Sequence, residues 1–159
     1  MIRTIARVIL AAMAVMFLVS FVTDIVTALK RSRQKRTMAD MRSIATGLEA
    51  LATDRKGYNI GPVRRLPRGT MHRVPFAEVE RALVPVYMKS VPRLDGWGEP
   101  FRIYVGGYDE KGRARDMLIR SFGSDRRAKG SFYTIGKTRT MAEDLVFSAG
   151  NFVRYPGRS

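Results

Sequence analysis

The sequence predicts an α+β protein: a long N-terminal helix followed by a small, mainly antiparallel β-sheet. Three observations carry this. Apolar residues fill positions 8–22 with only Ser20 interrupting, and resume after Asp24 at Ile25, Val26, Ala28 and Leu29. Past a basic cluster, Met38, Met41, Ile44, Leu48 and Leu51 recur every three or four residues, the stripe of an amphipathic helix. Beyond position 100 the apolar residues alternate in short runs separated by glycine-rich turns, the pattern of strands and hairpins.

No proline precedes Pro62, so the two helical halves read as one rod from Ile2 to about Asp54. At 1.5 Å per residue that is about 80 Å. Residues 5–29 supply 25 mainly apolar positions with Arg7 and Asp24 near the ends, enough for a membrane span of roughly 20 residues. The apolar anchor includes Val8, Leu10, Phe17, Leu18 and Val22. A cleavable signal peptide is the rival reading, with Arg3 and Arg7 as its positive region and Val26, Thr27 and Ala28 as a small-residue site. A buried core helix is the third reading, disfavoured because nothing else in the chain is apolar enough to wrap it. The organisation is therefore a membrane half, 1–29, and a domain, 30–159, that includes the amphipathic half at 30–54.

The short elements follow in order. Gly47 weakens the helix by about 1 kcal/mol relative to alanine unless it permits close packing, and Gly57 is placed as the helix stop. Residues 58–74, with two glycines, two prolines and His72, read as a surface loop. Pro75 opens a short helix over 76–83, with Glu78 and Glu80 near its positive end and Phe76, Val79 and Leu83 facing inward. The stretch 91–100 brackets Trp97 with two glycines and two prolines, a turn that the indole locks onto the body. Strands are expected at 101–105 and 117–122, then a 21-residue loop at 123–143, then a closing hairpin from 145–147 and 152–155.

Composition bounds function. The chain has 159 residues, 29 Lys and Arg against 14 Asp and Glu, and a formal net charge of +15. Beyond the membrane half there is room for one domain and not two. Such charge attracts nucleic acid or anionic lipid headgroups, or simply keeps a surface well solvated. There is no cysteine, which excludes disulfides and thiolate metal sites. A lone histidine, no P-loop, no paired metal-binding histidines and no G-x-S-x-G leave little basis for an enzyme.

A resemblance rests on an ordered set of residues. Thr37 to Ala45, then Leu48, Glu49, Ala50, Leu51, Ala52, Thr53, Asp54, Gly57 and Tyr58, resemble the helix end of type IV pilin-like proteins, particularly the major pseudopilin of type II secretion systems. Val91, Pro92 and the run Asp95, Gly96, Trp97, Gly98, Glu99, Pro100 are similar to the family's loop between short helix and sheet. Ile119, Arg120, Ser121, Phe122, Gly123, Ser124 and Asp125 resemble its central strand leading into a calcium loop. Asp144, Leu145, Val146, Phe147, Gly150, Asn151 and Phe152 resemble its closing segment. The match covers roughly residues 30–156.

The resemblance implies a long helix packed on the sheet, bundling of helices into a periplasmic filament, and partnership with other pilin-like subunits and the secretion machinery. It implies anchoring in a bacterial inner membrane by a single pass. It also implies a structural Ca2+ held by Asp125 and Asp144 with oxygens from near Ser121 and Phe122. Arg126 and Arg127 stand where the family has glycine and small residues, and adjacent cations weaken a divalent site. The alternative is that Asp125 pairs with a neighbouring arginine and Asp144 caps the strand.

The front departs from the family pattern. No leader with a basic residue and glycine before a phenylalanine is present, and Met1 stands about where a processed chain would begin. Arg3, Thr4, Ile5, Ala6 and Arg7 occupy the place of the usual glutamate, and the membrane half has no proline. The helix thus reads as an anchor first and an assembly element second. Charge near the span, two cations before it and five in 30–36, taken alone places the domain in the cytoplasm. A second class of function is a polyanion binder on the same fold. Arg64, Arg65, Arg126, Arg127 and Lys129, interleaved with Tyr58, Phe132 and Tyr133, would supply charge and stacking for nucleic acid.

Overall fold

A computed structural model describes residues 2–60, 70–130 and 134–157, without the side chains of 2–6, 8 and 11. The N-terminal rod is one helix, α1, Ile2–Arg55. It is followed by β1 (Met71–Val74), α2 (Phe76–Leu83), β2 (Arg102–Gly106), β3 (Asp116–Ser121), β4 (Gly136–Thr138), β5 (Leu145–Ser148) and β6 (Asn151–Pro156). The strands form one sheet in the order β1-β2-β3-β5-β6-β4. All pairs are antiparallel except β4 with β6, which is parallel.

The amphipathic stripe of α1 is the core of the domain. Met41, Ile44, Ala45, Leu48 and Leu51 are buried against Val79 and Leu83 of α2 and against one face of the sheet. That face is set by register. Ile103 pairs with Ile119 and Ile119 with Phe147, so one row of large side chains crosses three strands beneath the helix. Because side chains alternate along a strand, Arg102, Leu118, Arg120 and Val146 belong to the opposite face, and a register shift between Val146 and Phe147 brings Arg154 opposite Val146.

Turns fix how the sheet meets the rod. Asp95 Oδ1 accepts from the backbone N–H groups of Trp97 and Glu99, each at 2.9 Å, and its Oδ2 accepts from Ser121 Oγ at 2.6 Å. This turn docks on α1, where Gly96 N–H donates to Thr37 Oγ1 at 2.8 Å and Trp97 is buried. A Cβ at Gly96 would lie 2.3 Å from the Arg33 carbonyl oxygen, so glycine is required by the close approach of two backbones.

Three sequence expectations are corrected. Lys56, not Gly57, takes the left-handed conformation (φ 57°) that ends α1. Gly57 N–H reaches back to the Ala52 carbonyl at 2.9 Å, and its missing side chain lets the Ala114 carbonyl approach. Residues 71–74, expected in a loop, form β1, with His72 opposite Val105 and its Nδ1 2.8 Å from Tyr108 Oη. The long loop at 123–143 contains β4. Both missed strands are short edge strands, whose pairing depends on distant partners that local pattern does not reveal.

Candidate functional site

Two features are candidates for function: the uncovered half of α1 and the loop between β3 and β5. In the described part of the membrane half, apolar side chains are exposed all round the helix. Leu10, Phe17, Leu18 and Val22 are all open to the surroundings, Phe17 being 71% exposed. The side chain of Val8 lies outside the described residues. Two hydroxyls of this half bond back to the helix backbone. Thr23 Oγ1 donates to the Ser20 carbonyl at 2.7 Å and Thr27 Oγ1 to the Thr23 carbonyl at 2.9 Å, so these hydroxyls are satisfied within the helix. Among the described residues there is one helix long and apolar enough to cross a membrane, and nothing in the described fold covers its first half.

The second feature is built on the sheet face away from α1. Arg120 and Arg154 both stand opposite Val146, one from β3 and one from β6, so they flank the start of β5. Asp144, just before β5, is fully buried there. Arg120 donates from Nε to Asp144 Oδ2 and holds Nη2 against the same oxygen. Its Nη2 also donates to the Lys129 and Gly130 carbonyls at 3.1 and 3.2 Å. Arg154 completes the arrangement, with Nη1 donating to the Lys129 carbonyl at 3.1 Å and Nη2 to Glu143 Oε2 at 2.8 Å. The Lys129 N–H closes onto the Asp144 carboxylate at 3.1 and 3.2 Å. Two guanidinium forks therefore tie both ends of the long loop to the sheet.

Electrostatics follow from this packing. Burial pushes the Asp144 carboxyl up, while the bonds from Arg120 pull it down. Glu143 is held below its ordinary value, chiefly by its bond from Arg154. Asp125 is likewise lowered, chiefly by Lys129, whose Nζ sits 2.5 Å from Oδ2.

The donor set does not suit a calcium ion. Asp144 is committed to Arg120 and the Lys129 amide, and Asp125 to Lys129 and the Arg127 amide. Ser121 Oγ donates to Asp95, and the Phe122 ring lies under the guanidinium groups of Arg102 and Arg120 at 5.3 and 5.4 Å. Among the described residues no three acidic or histidine side chains gather. Calcium takes six to eight oxygens. Here the Lys129 and Gly130 carbonyls and the Asp144 carboxylate already face protein cations, so Asp125, Asp144, Ser121 and Phe122 do not form a ligand shell. The other expectation for these acids is also adjusted: Asp125 pairs with a lysine, and Asp144 with the arginine of the neighbouring strand.

Of the basic residues singled out for anions, Arg126, Arg127 and Lys129 share the exposed turn after β3, where Lys129 is neutralised by Asp125. Arg64, Arg65, Phe132 and Tyr133 lie outside the described residues. Sequence reasoning missed Arg120 and Arg154 as the clasp, although a charged residue inside the apolar run 117–121 is a signal for a buried pair. Comparison of the chain with protein-family models, with curated proteins and with solved structures returns no match.

Proposed function

We propose that the protein is a non-enzymatic, pseudopilin-like subunit of a type II secretion or type IV pilus-like machine. In this reading α1 anchors it in a bacterial inner membrane by a single pass, the domain at 30–159 lies on the periplasmic side, and copies or related pilin-like subunits pack through their helices. The observation that carries the reading is the division of one continuous helix. Its second half buries an apolar stripe in its own sheet, while its first half offers apolar residues on all sides to lipid or to neighbouring helices. Phe17 and Phe21, stacked at 6.5 Å one turn apart, add a flat aromatic surface to that half.

The reading is tested by placing single cysteines along residues 10–28 of the full chain, which has none of its own. Oxidative crosslinking in native membranes is expected to give products recurring every three or four positions, marking one packed helix face. Absence of crosslinked species at every position would contradict assembly through α1.

A further inference from the structure

The basic collar after the span belongs to the domain as well as to the helix. Lys30, Arg31, Arg33, Lys35 and Arg36 follow Leu29 directly, and all are exposed. The headgroup layer adds about 5–8 Å beyond the hydrocarbon on each side, or about three to five helical residues. Residues 30–34 therefore lie within it when Leu29 marks the edge of the span.

The sheet reaches the same level. Arg31 and Gln34 form one wall of a surface cavity of about 300 Å3, and Thr138, Arg139 and Thr140 form another. Chain direction accounts for this. Gly150, just before β6, stands near Glu49, whereas Gly157, beyond its end, helps line the cavity beside Gln34. The turn after β4, parallel to β6, is carried to the membrane end with it. The acids nearby are few. Glu143 is bound by Arg154 and by the Arg139 N–H, and Asp24 sits with Arg31 and Lys35 along α1.

We propose that this cavity binds the phosphate of anionic phospholipid headgroups between Arg31 and Arg139, seating the domain on the bilayer. Guanidinium groups match phosphate oxygens with paired N–H donors, and the Thr138 hydroxyl adds a further donor, while Thr140 stands at the rim. Lipid is favoured over nucleic acid because the two arginines sit at headgroup depth, where lipid phosphates are already concentrated. The inference rests on α1 spanning the membrane and is independent of filament assembly.

The test uses the full chain in lipid nanodiscs, either neutral or containing about one-third phosphatidylglycerol. A fluorophore is attached at Thr140→Cys, and in a reference protein at Lys111→Cys, on the hairpin beside the far end of α1 where Tyr58 N–H meets the Ala114 carbonyl. Quenching by headgroup-spin-labelled lipid is read. At position 140 it is expected to be at least about threefold stronger in anionic discs, and to fall to the neutral level in about 0.5 M salt. The double substitution Arg31→Gln with Arg139→Gln should abolish that gain, while position 111 stays unquenched throughout. Quenching at 140 that ignores lipid charge and salt overturns the proposal. So does a response at 140 to short duplex DNA in neutral discs that the same double substitution removes, which would assign the surface to nucleic acid. A chain that fails to co-elute with the discs overturns the spanning helix itself, and the lipid site with it.

Discussion

Arg120 and Asp144, 24 residues apart in sequence, form an ion pair in which the arginine is 5% and the aspartate 0% exposed. Removing one partner of such a pair strands the other charge in low dielectric, a loss of about 3–5 kcal/mol. Arg120→Gln and Asp144→Asn are each expected to destabilise the domain by that amount in denaturant unfolding of the detergent-solubilised chain. Arg120→Lys keeps the charge but not the fork that reaches two carbonyls as well as the carboxylate, so it should recover only part of the loss. A cost below about 1 kcal/mol for Asp144→Asn would mean the pair does not hold the loop.

With Asp144 and Asp125 each held by a protein cation, the loop is expected to hold its place without a divalent ion. A ligand that binds only the folded state raises stability by RT ln(1 + L/Kd), with L the free ligand concentration. Added calcium or a chelator should therefore leave the thermal midpoint unchanged to within about 1 °C, whereas a calcium-dependent rise of about 5 °C or more would restore a metal to this loop.

Two helix-facing glycines separate close backbone contact from close side-chain contact. At Gly96 an added methyl meets the Arg33 carbonyl, which the helix holds in place, so Gly96→Ala should cost about 1–3 kcal/mol. At Gly47 it meets the Met88 thioether at 2.8 Å, a flexible side chain that can turn away. Gly47→Ala also gains about 1 kcal/mol of helix propensity and should be neutral or stabilising. Thermal unfolding of both variants checks the contrast, and equal costs would contradict it.

Asp109 gives the domain an acid dependence. Its carboxylate accepts from the backbone of Arg113 and Lys111 and from the side chains of Arg113 and Arg115, which lowers it from 3.8 to about 2, the Arg113 backbone bond first. A carboxylate depressed on folding contributes stability that is fully present above its ordinary value and fades as pH falls from about 4 to about 2. Stability of the β2–β3 hairpin should drop across that window, and Asp109→Asn should flatten the drop. Carboxyl resonances followed by NMR should place the Asp109 midpoint near 2; a midpoint near 4 would contradict the bonding described.

The parts legible in the sequence were those written in local pattern. The extent of α1, its buried stripe, α2 and the strands around Ile103, Ile119 and Phe147 all follow from period and turn chemistry. The turn at Asp95 and the burial of Trp97 were legible for the same reason. What local pattern did not carry was long-range pairing. β4 is three residues long with a glycine and a lysine, and it becomes a strand only because β6 lies beside it. The clasp likewise depends on the register that puts Arg120 and Arg154 on either side of Val146. The partners of Asp125 and Asp144 were illegible for the same reason: the acids could be aligned, but Lys129 and Arg120 beside them could not be seen.

The central claim is that α1 anchors the domain on the far side of a bacterial inner membrane. A reporter enzyme active only in the periplasm, fused after Ser159 and expressed in a Gram-negative host, tests it most directly. The expected result is an active, membrane-associated fusion. A stable, membrane-associated but inactive fusion would place the domain in the cytoplasm, as the five cations at 30–36 taken alone suggest, and would contradict the pseudopilin-like reading.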